Sequence, residues 1–148
     1  MLKLYTDAAP SIGFGGVFQK ELFAEKWPHK FANLASGSNS SALYQADPVL
    51  LGSAWSHKRI VIFCDNEAAV SITNNGISRC PTIMSVLRRL IWQSVIHNFI
   101  IKAEHIPGYV NTVADSLSRF RLQAFRRLCP AANLDPTPCP ALSEIVLN

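Results

Sequence analysis

The sequence predicts an α/β domain built on one mixed five-stranded sheet with helices on both faces, and three observations carry that expectation. Three short alternating segments separated by turn residues open the chain, RIVIFCD at 59–65 is an almost unbroken apolar run, and helix-length patterns flank the two later strands. The early segments suit an antiparallel meander. An apolar strand set between helical stretches is one buried on both faces, so the later strands are expected parallel to the first.

Each element has its own reason. LKLYTD alternates Leu2, Leu4 and Thr6 and reads as the first strand; AAPSIG turns the chain into GFGGVFQ, whose glycines permit a bend or a close backbone approach. KELFAEKWP is a third strand ended by Pro28. FANLASGSNS is a loop, after which Ser40 or Ser41 caps a helix through ALYQADPVLLGSAWS, poorly written because Pro48 and Gly52 fall inside it. RIVIFCD ends at Asp65, NEAAVSITNNG is a helix stopped by Asn75-Gly76, and PTIMSVLRRLIWQSVIHN is a longer helix with Pro81 in its first turn. On that helix Leu87, Leu90, Ile91 and Val95 are expected inside, with Trp55 and Trp92 also in the core. FIIKAEHIP is the last strand and NTVADSLSRFRLQAFRRL a single last helix. Residues 1–122 are expected to form the domain and 123–148 a Pro-rich C-terminal tail or linker.

With 148 residues, 49% hydrophobic and 16% charged, the chain suits one domain with an ordinary core. Its net charge of +4 is weighted toward the second half, in Arg88, Arg89, Arg119, Arg121, Arg126 and Arg127, which leans toward a polyanionic partner. Cys64, Cys80, Cys129 and Cys139 have neither C-x-x-C spacing nor paired histidines, so reduced thiols are expected rather than zinc or a disulfide framework. No apolar run reaches the length of a membrane span and MLKLYTDAAP is not a leader, so an intracellular protein of the cytoplasm or nucleus is expected.

The acids supply the chemistry. Asp7 ends the first strand, Asp65 ends the buried fourth, and Asp115 sits on the first turn of the last helix. Adjacent parallel strands would bring Asp7 and Asp65 to one sheet edge, where ligand sites of open α/β sheets lie, and the last helix can bring Asp115 beside them. Three crowded carboxylates raise one another's pKa values unless a cation sits among them, and an oxygen-only set suits Mg²⁺ or Mn²⁺. Two such ions roughly 3.5–4 Å apart serve phosphodiester hydrolysis by activating water and stabilising the leaving oxygen. The plainer reading is that Asp65-Asn66 caps a helix and Asp115 answers a helix dipole. His105, before Pro107-Gly108, is as well explained as a structural residue as by acid–base work.

YTDAA at 5–9, IVIFCDNEAAV at 60–70 and HIPGYVNTVADSLSRF at 105–120 together resemble the ribonuclease H domain of retroelement polymerases, most closely that of DIRS-type retrotransposons, which carry a tyrosine recombinase. The resemblance implies a ribonuclease H-like fold and hydrolysis of the RNA strand of RNA:DNA hybrids with Mg²⁺. It implies Asp7, Asp65 and Asp115 as catalytic metal ligands, and Asn66 and Asn111 near the substrate backbone or supporting the site. Gln45, in ALYQADP, stands where related domains have a Glu. Its amide oxygen can face a metal but brings no charge, so weakened turnover is expected. The alternative is an inactive ribonuclease H-like domain that binds nucleic acid or serves as a structural part of a retroelement polyprotein beside reverse transcriptase and recombinase. Arg88, Arg89 and Arg119 are candidate phosphate contacts, with a solvated helix face as their bland alternative.

Overall fold

The computed structural model describes residues 2–9, 12–26, 55–79 and 81–136. The opening segments form β1 (Leu2–Ala9), β2 (Gly13–Phe18) and β3 (Glu21–Lys26). They are followed by β4 (Arg59–Cys64), α1 (Glu67–Asn75), α2 (Pro81–His97), β5 (Ile100–His105), α3 (Thr112–Ser118) and α4 (Leu122–Leu128). The helix expected through ALYQADPVLLGSAWS, with Gln45, lies outside the described residues, as does the tail from 137 onward.

The strands form one sheet in the order β3-β2-β1-β4-β5, antiparallel from β1 to β3 and parallel across β1, β4 and β5. Period-two alternation sorts the side chains onto two faces. Leu4, Phe14, Phe18, Phe23, Ile60 and Ile62 face one side, where they pack with Trp55, Leu87, Leu90 and Phe99. Trp55 meets Phe99 edge-on, with ring centroids 5.3 Å apart. Val17 and Leu22 face the other side and bury Leu117 of α3 and Phe125 of α4. As expected, β4 is buried on both faces, apart from its exposed first residue, Arg59, and the partly covered Phe63.

The caps of α1 follow from its sequence. Asn66 Oδ1 accepts from the Ala69 amide at 2.9 Å, and Gly76, at φ 70°, donates its amide to the Ile72 carbonyl. Asn74 then grips the edge of the sheet. Its Nδ2 donates to the Ala103 carbonyl at 2.9 Å and its Oδ1 accepts the Ala103 amide at 2.8 Å, so one side chain satisfies a backbone pair of β5. Asn74→Ala should therefore cost about 1–3 kcal/mol in a urea unfolding curve, with faster amide exchange at Ala103.

Two expectations are corrected. Ile91, Trp92 and Val95 are 44%, 63% and 68% exposed, whereas Leu87 and Leu90 are buried, so the inward stripe of α2 is narrower than its apolar sequence suggests. The last helix is also broken, at Arg119–Arg121, by Phe120 in the left-handed region at φ 56°. That residue costs roughly 1–2 kcal/mol. Full burial of Phe125 beside Leu117 and Leu22 recovers about 1.5–3 kcal/mol, which offsets it. Among the described residues no helix is long and apolar enough to cross a membrane.

Candidate active site

Because β1 and β4 are neighbours and parallel, their C-terminal ends open at the same edge of the sheet. Asp7 lies near the end of β1, opposite Gly15 of β2, and Asp65 directly follows β4. The close approach of α3 depends on that glycine: a Cβ on Gly15 would lie 2.7 Å from Leu117 Cβ and 3.1 Å from the Phe23 carbonyl oxygen. With α3 seated there, Asp115 and Ser118 reach the same edge.

Asp7 is only 5% exposed, and its Oδ2 accepts a hydrogen bond from Ser118 Oγ at 2.7 Å. Burial pushes its carboxyl up to about 7; the Ser118 bond opposes this, while the charges of Asp65 and Asp115 and a hydrogen-bond contact with Asp65 add to it. Asp115 Oδ1 accepts from Arg119 Nε at 3.0 Å, one helical turn on. All three carboxylates, Asp115 foremost, stabilise the Arg119 guanidinium and raise its pKa. Thus Asp7, Asp65 and Asp115 share one electrostatic neighbourhood, and a cation is already drawn to it.

Among the described residues, no group of three or more His, Cys, Asp or Glu side chains is drawn together closely enough to hold a metal ion. Asp7 is engaged by Ser118 and Asp115 by Arg119. The donor chemistry nonetheless fits a hard divalent ion, because a buried carboxyl made reluctant to ionise by its neighbours is relieved by positive charge between them. Arg119 engages Asp115 only through Oδ1, which leaves Oδ2 as the oxygen that would face an ion.

The other expected residues separate into supports and bystanders. Asn66 spends its side-chain oxygen on the α1 cap. Asn111 is 2% exposed and donates Nδ2 to the Thr6 carbonyl at 2.8 Å, which makes it a brace for the strand next to Asp7. Arg88 and Arg89 lie on α2, whose Leu87 and Leu90 pack the sheet face opposite α3, and no described hydrogen bond or ion pair joins them to the aspartates. His105 is exposed, with Nε2 3.2 Å from the Asp65 carbonyl, and Gly108 lets its loop pass beside Asp65: a Cβ there would lie 3.3 Å from Oδ2. Ser118 escaped the sequence reading. The available signal was its spacing of three residues from Asp115, which puts both on one helix face.

No known protein family matches the chain by sequence, and no curated protein does so either. Solved structures do. LC11 RNase H1, isolated from compost by a metagenomic approach and solved with an RNA/DNA hybrid, matches with a TM-score of 0.61 at 20% identity, over 79% of this chain and 93% of its own. RNase H1 of the archaeon Halobacterium salinarum matches with a TM-score of 0.61 at 13% identity, over 82% of this chain and 97% of its own. The N-terminal RNase H domain of a Mycobacterium tuberculosis protein matches at 0.52 and 15% identity, covering 87% and 99%. With the strand order and the three-antiparallel, then parallel sheet, these likenesses establish that this chain has the ribonuclease H fold.

Proposed function

We propose that this chain is a ribonuclease H-type hydrolase of the RNA strand of RNA:DNA hybrids, dependent on a divalent metal. The observation that carries the reading is the shared environment of Asp7, Asp65 and Asp115 at the C-terminal edge of the parallel strands, with Asp7 held near neutrality by burial and by its acidic neighbours. Asp7, Asp65 and Asp115 would hold Mg²⁺ or Mn²⁺, which when bound supplies an activated water and charge stabilisation at the leaving oxygen. Ser118 orients Asp7, and Asn111 fixes the backbone of the residue before it. By the resemblance, Gln45 would stand where related domains have a carboxylate and would bring an oxygen without charge, the weak member of the set.

The substrate reading has two supports. One is the solved complex of LC11 RNase H1 with an RNA/DNA hybrid; the other is the chain's late-weighted positive charge, which suits phosphate contacts. Arg119 is the arginine best positioned for the scissile strand, because its guanidinium lies beside Asp115 and in the field of Asp7 and Asp65, where it would meet a phosphate brought to the acids. Asn66, Arg88 and Arg89 would contact the hybrid farther out. The retroelement branch of the reading, with reverse transcriptase and recombinase as neighbours in a parent chain, rests on the motifs at 5–9, 60–70 and 105–120.

The test is cleavage of an end-labelled hybrid in Mg²⁺ and in Mn²⁺ by the wild type, Gln45→Glu and Asp65→Asn. Gln45→Glu should raise the rate at least about tenfold, equivalent to about 1.4 kcal/mol, and Asp65→Asn should remove it. Equal rates in all three proteins would sink the assignment. Salt-dependent retention of the hybrid in a gel without any metal-dependent product would instead favour the non-cutting alternative.

A further inference from the structure

A second concave site lies on the α3 side of the sheet. A cavity of about 610 Å³ is walled by Tyr5, Val17 and Val113, with Lys3, Gln19 and Asn111 as polar members, and Asp7, Asp65 and Asp115 do not line it. Its floor is firm: Tyr5 stacks on Phe63 with centroids 4.9 Å apart and planes within 20°. The volume suits a small organic molecule.

We propose that this cavity binds an amphipathic organic anion, an aromatic or alkyl body carrying one carboxylate or sulfonate. Two features select that chemistry. The walls are apolar, which favours a hydrocarbon body over a sugar or a nucleotide phosphate chain. Lys3 is exposed and makes no ion pair among the described residues, so the one cation lining the cavity is available to an anionic group. A polyanion would find a single cation, Lys3, in a mostly apolar trough, so this is not an extension of a nucleic-acid groove.

The experiment is titration of the full chain with 1-anilinonaphthalene-8-sulfonate, which carries an aromatic body, one sulfonate and one N–H, followed by calorimetry and by amide chemical shifts. Saturable one-to-one binding is expected with a Kd on the order of 10–100 μM, and shifts centred on Tyr5, Val17 and Val113. Lys3→Glu and Val110→Glu, at exposed positions lining the cavity, should each weaken it at least about tenfold, while Lys58→Glu, an exposed cation outside it, should leave it unchanged. In the wild-type protein, N-phenyl-1-naphthylamine, which lacks the sulfonate, should bind at least about tenfold more weakly, a measurement that needs no variant. Absence of saturable binding, equal loss in Lys58→Glu, shifts lying elsewhere, or equal affinity for the uncharged analogue would each overturn the proposal. None of these readouts uses hybrid cleavage, so the outcome is independent of the nuclease reading.

Discussion

Asp7→Asn should abolish hybrid cleavage while making the metal-free protein more stable at neutral pH. The loss of activity, at least about a hundredfold, follows from removing the buried member of the metal-binding acids. The gain in stability follows from the sign of its pKa shift. The carboxyl is raised in the folded state from 3.8 to about 7, so the folded chain binds a proton that the unfolded chain has already released. Stability contributed by that proton is complete below about pH 4 and is lost progressively as pH rises to about 7. The penalty at pH 8 is on the order of 2–4 kcal/mol, and an uncharged amide that still accepts from Ser118 escapes it. Urea unfolding at pH 5 and pH 8 in a chelator checks this: the wild type should weaken between the two and Asp7→Asn should weaken less. Mg²⁺ at pH 8 should restore the wild type and do little for the variant. A wild type equally stable at both pH values would mean that Asp7 titrates normally.

Gly15→Ala should unfold or disarm the domain through one methyl group. That carbon would meet Leu117 Cβ at 2.7 Å, the Leu117 carbonyl carbon at 3.0 Å and the Phe23 carbonyl oxygen at 3.1 Å, and two of these are backbone atoms that cannot swing aside. The cost is about 2–4 kcal/mol of overpacking. Relief by lifting α3 would carry Ser118 and Asp115 away from Asp7, so cleavage should fall together with stability. Gly76→Ala is the contrast. It strains a left-handed cap at φ 70° and should cost about 1 kcal/mol, but it sits at the far end of α1 and should leave cleavage per folded molecule unchanged.

Much of the architecture was legible because it depends on local pattern. RIVIFCD reads as a strand buried on both faces, Asn75-Gly76 stops a helix for backbone reasons, and Pro81 suits a first turn. The neighbourhood of Asp7, Asp65 and Asp115 was legible too, since parallel strands must end at one edge once β1 and β4 are adjacent. Harder to read was which side of α2 faces inward. With apolar residues around most of its surface, periodicity cannot choose between Leu87–Leu90 and Ile91–Val95, and the narrow contact with the sheet makes the choice. The break at Phe120 was invisible for a similar reason. NTVADSLSRFRLQAFRRL contains no glycine or proline to announce it, and it exists because a non-local contact between Phe125 and Leu22 outweighs local strain.

By itself the sequence determined the order and type of the elements and the three acids worth watching, because helix and strand periods and chain breakers act over a few residues. Only the tertiary structure decided the state of those acids. That Asp7 holds a proton toward neutrality, that Ser118 bonds to it, and that Asp115 leans on Arg119 are consequences of desolvation and of distances between residues up to 111 positions apart in the chain. Electrostatic energy depends on burial and separation in space, and neither is written in the local pattern of side chains.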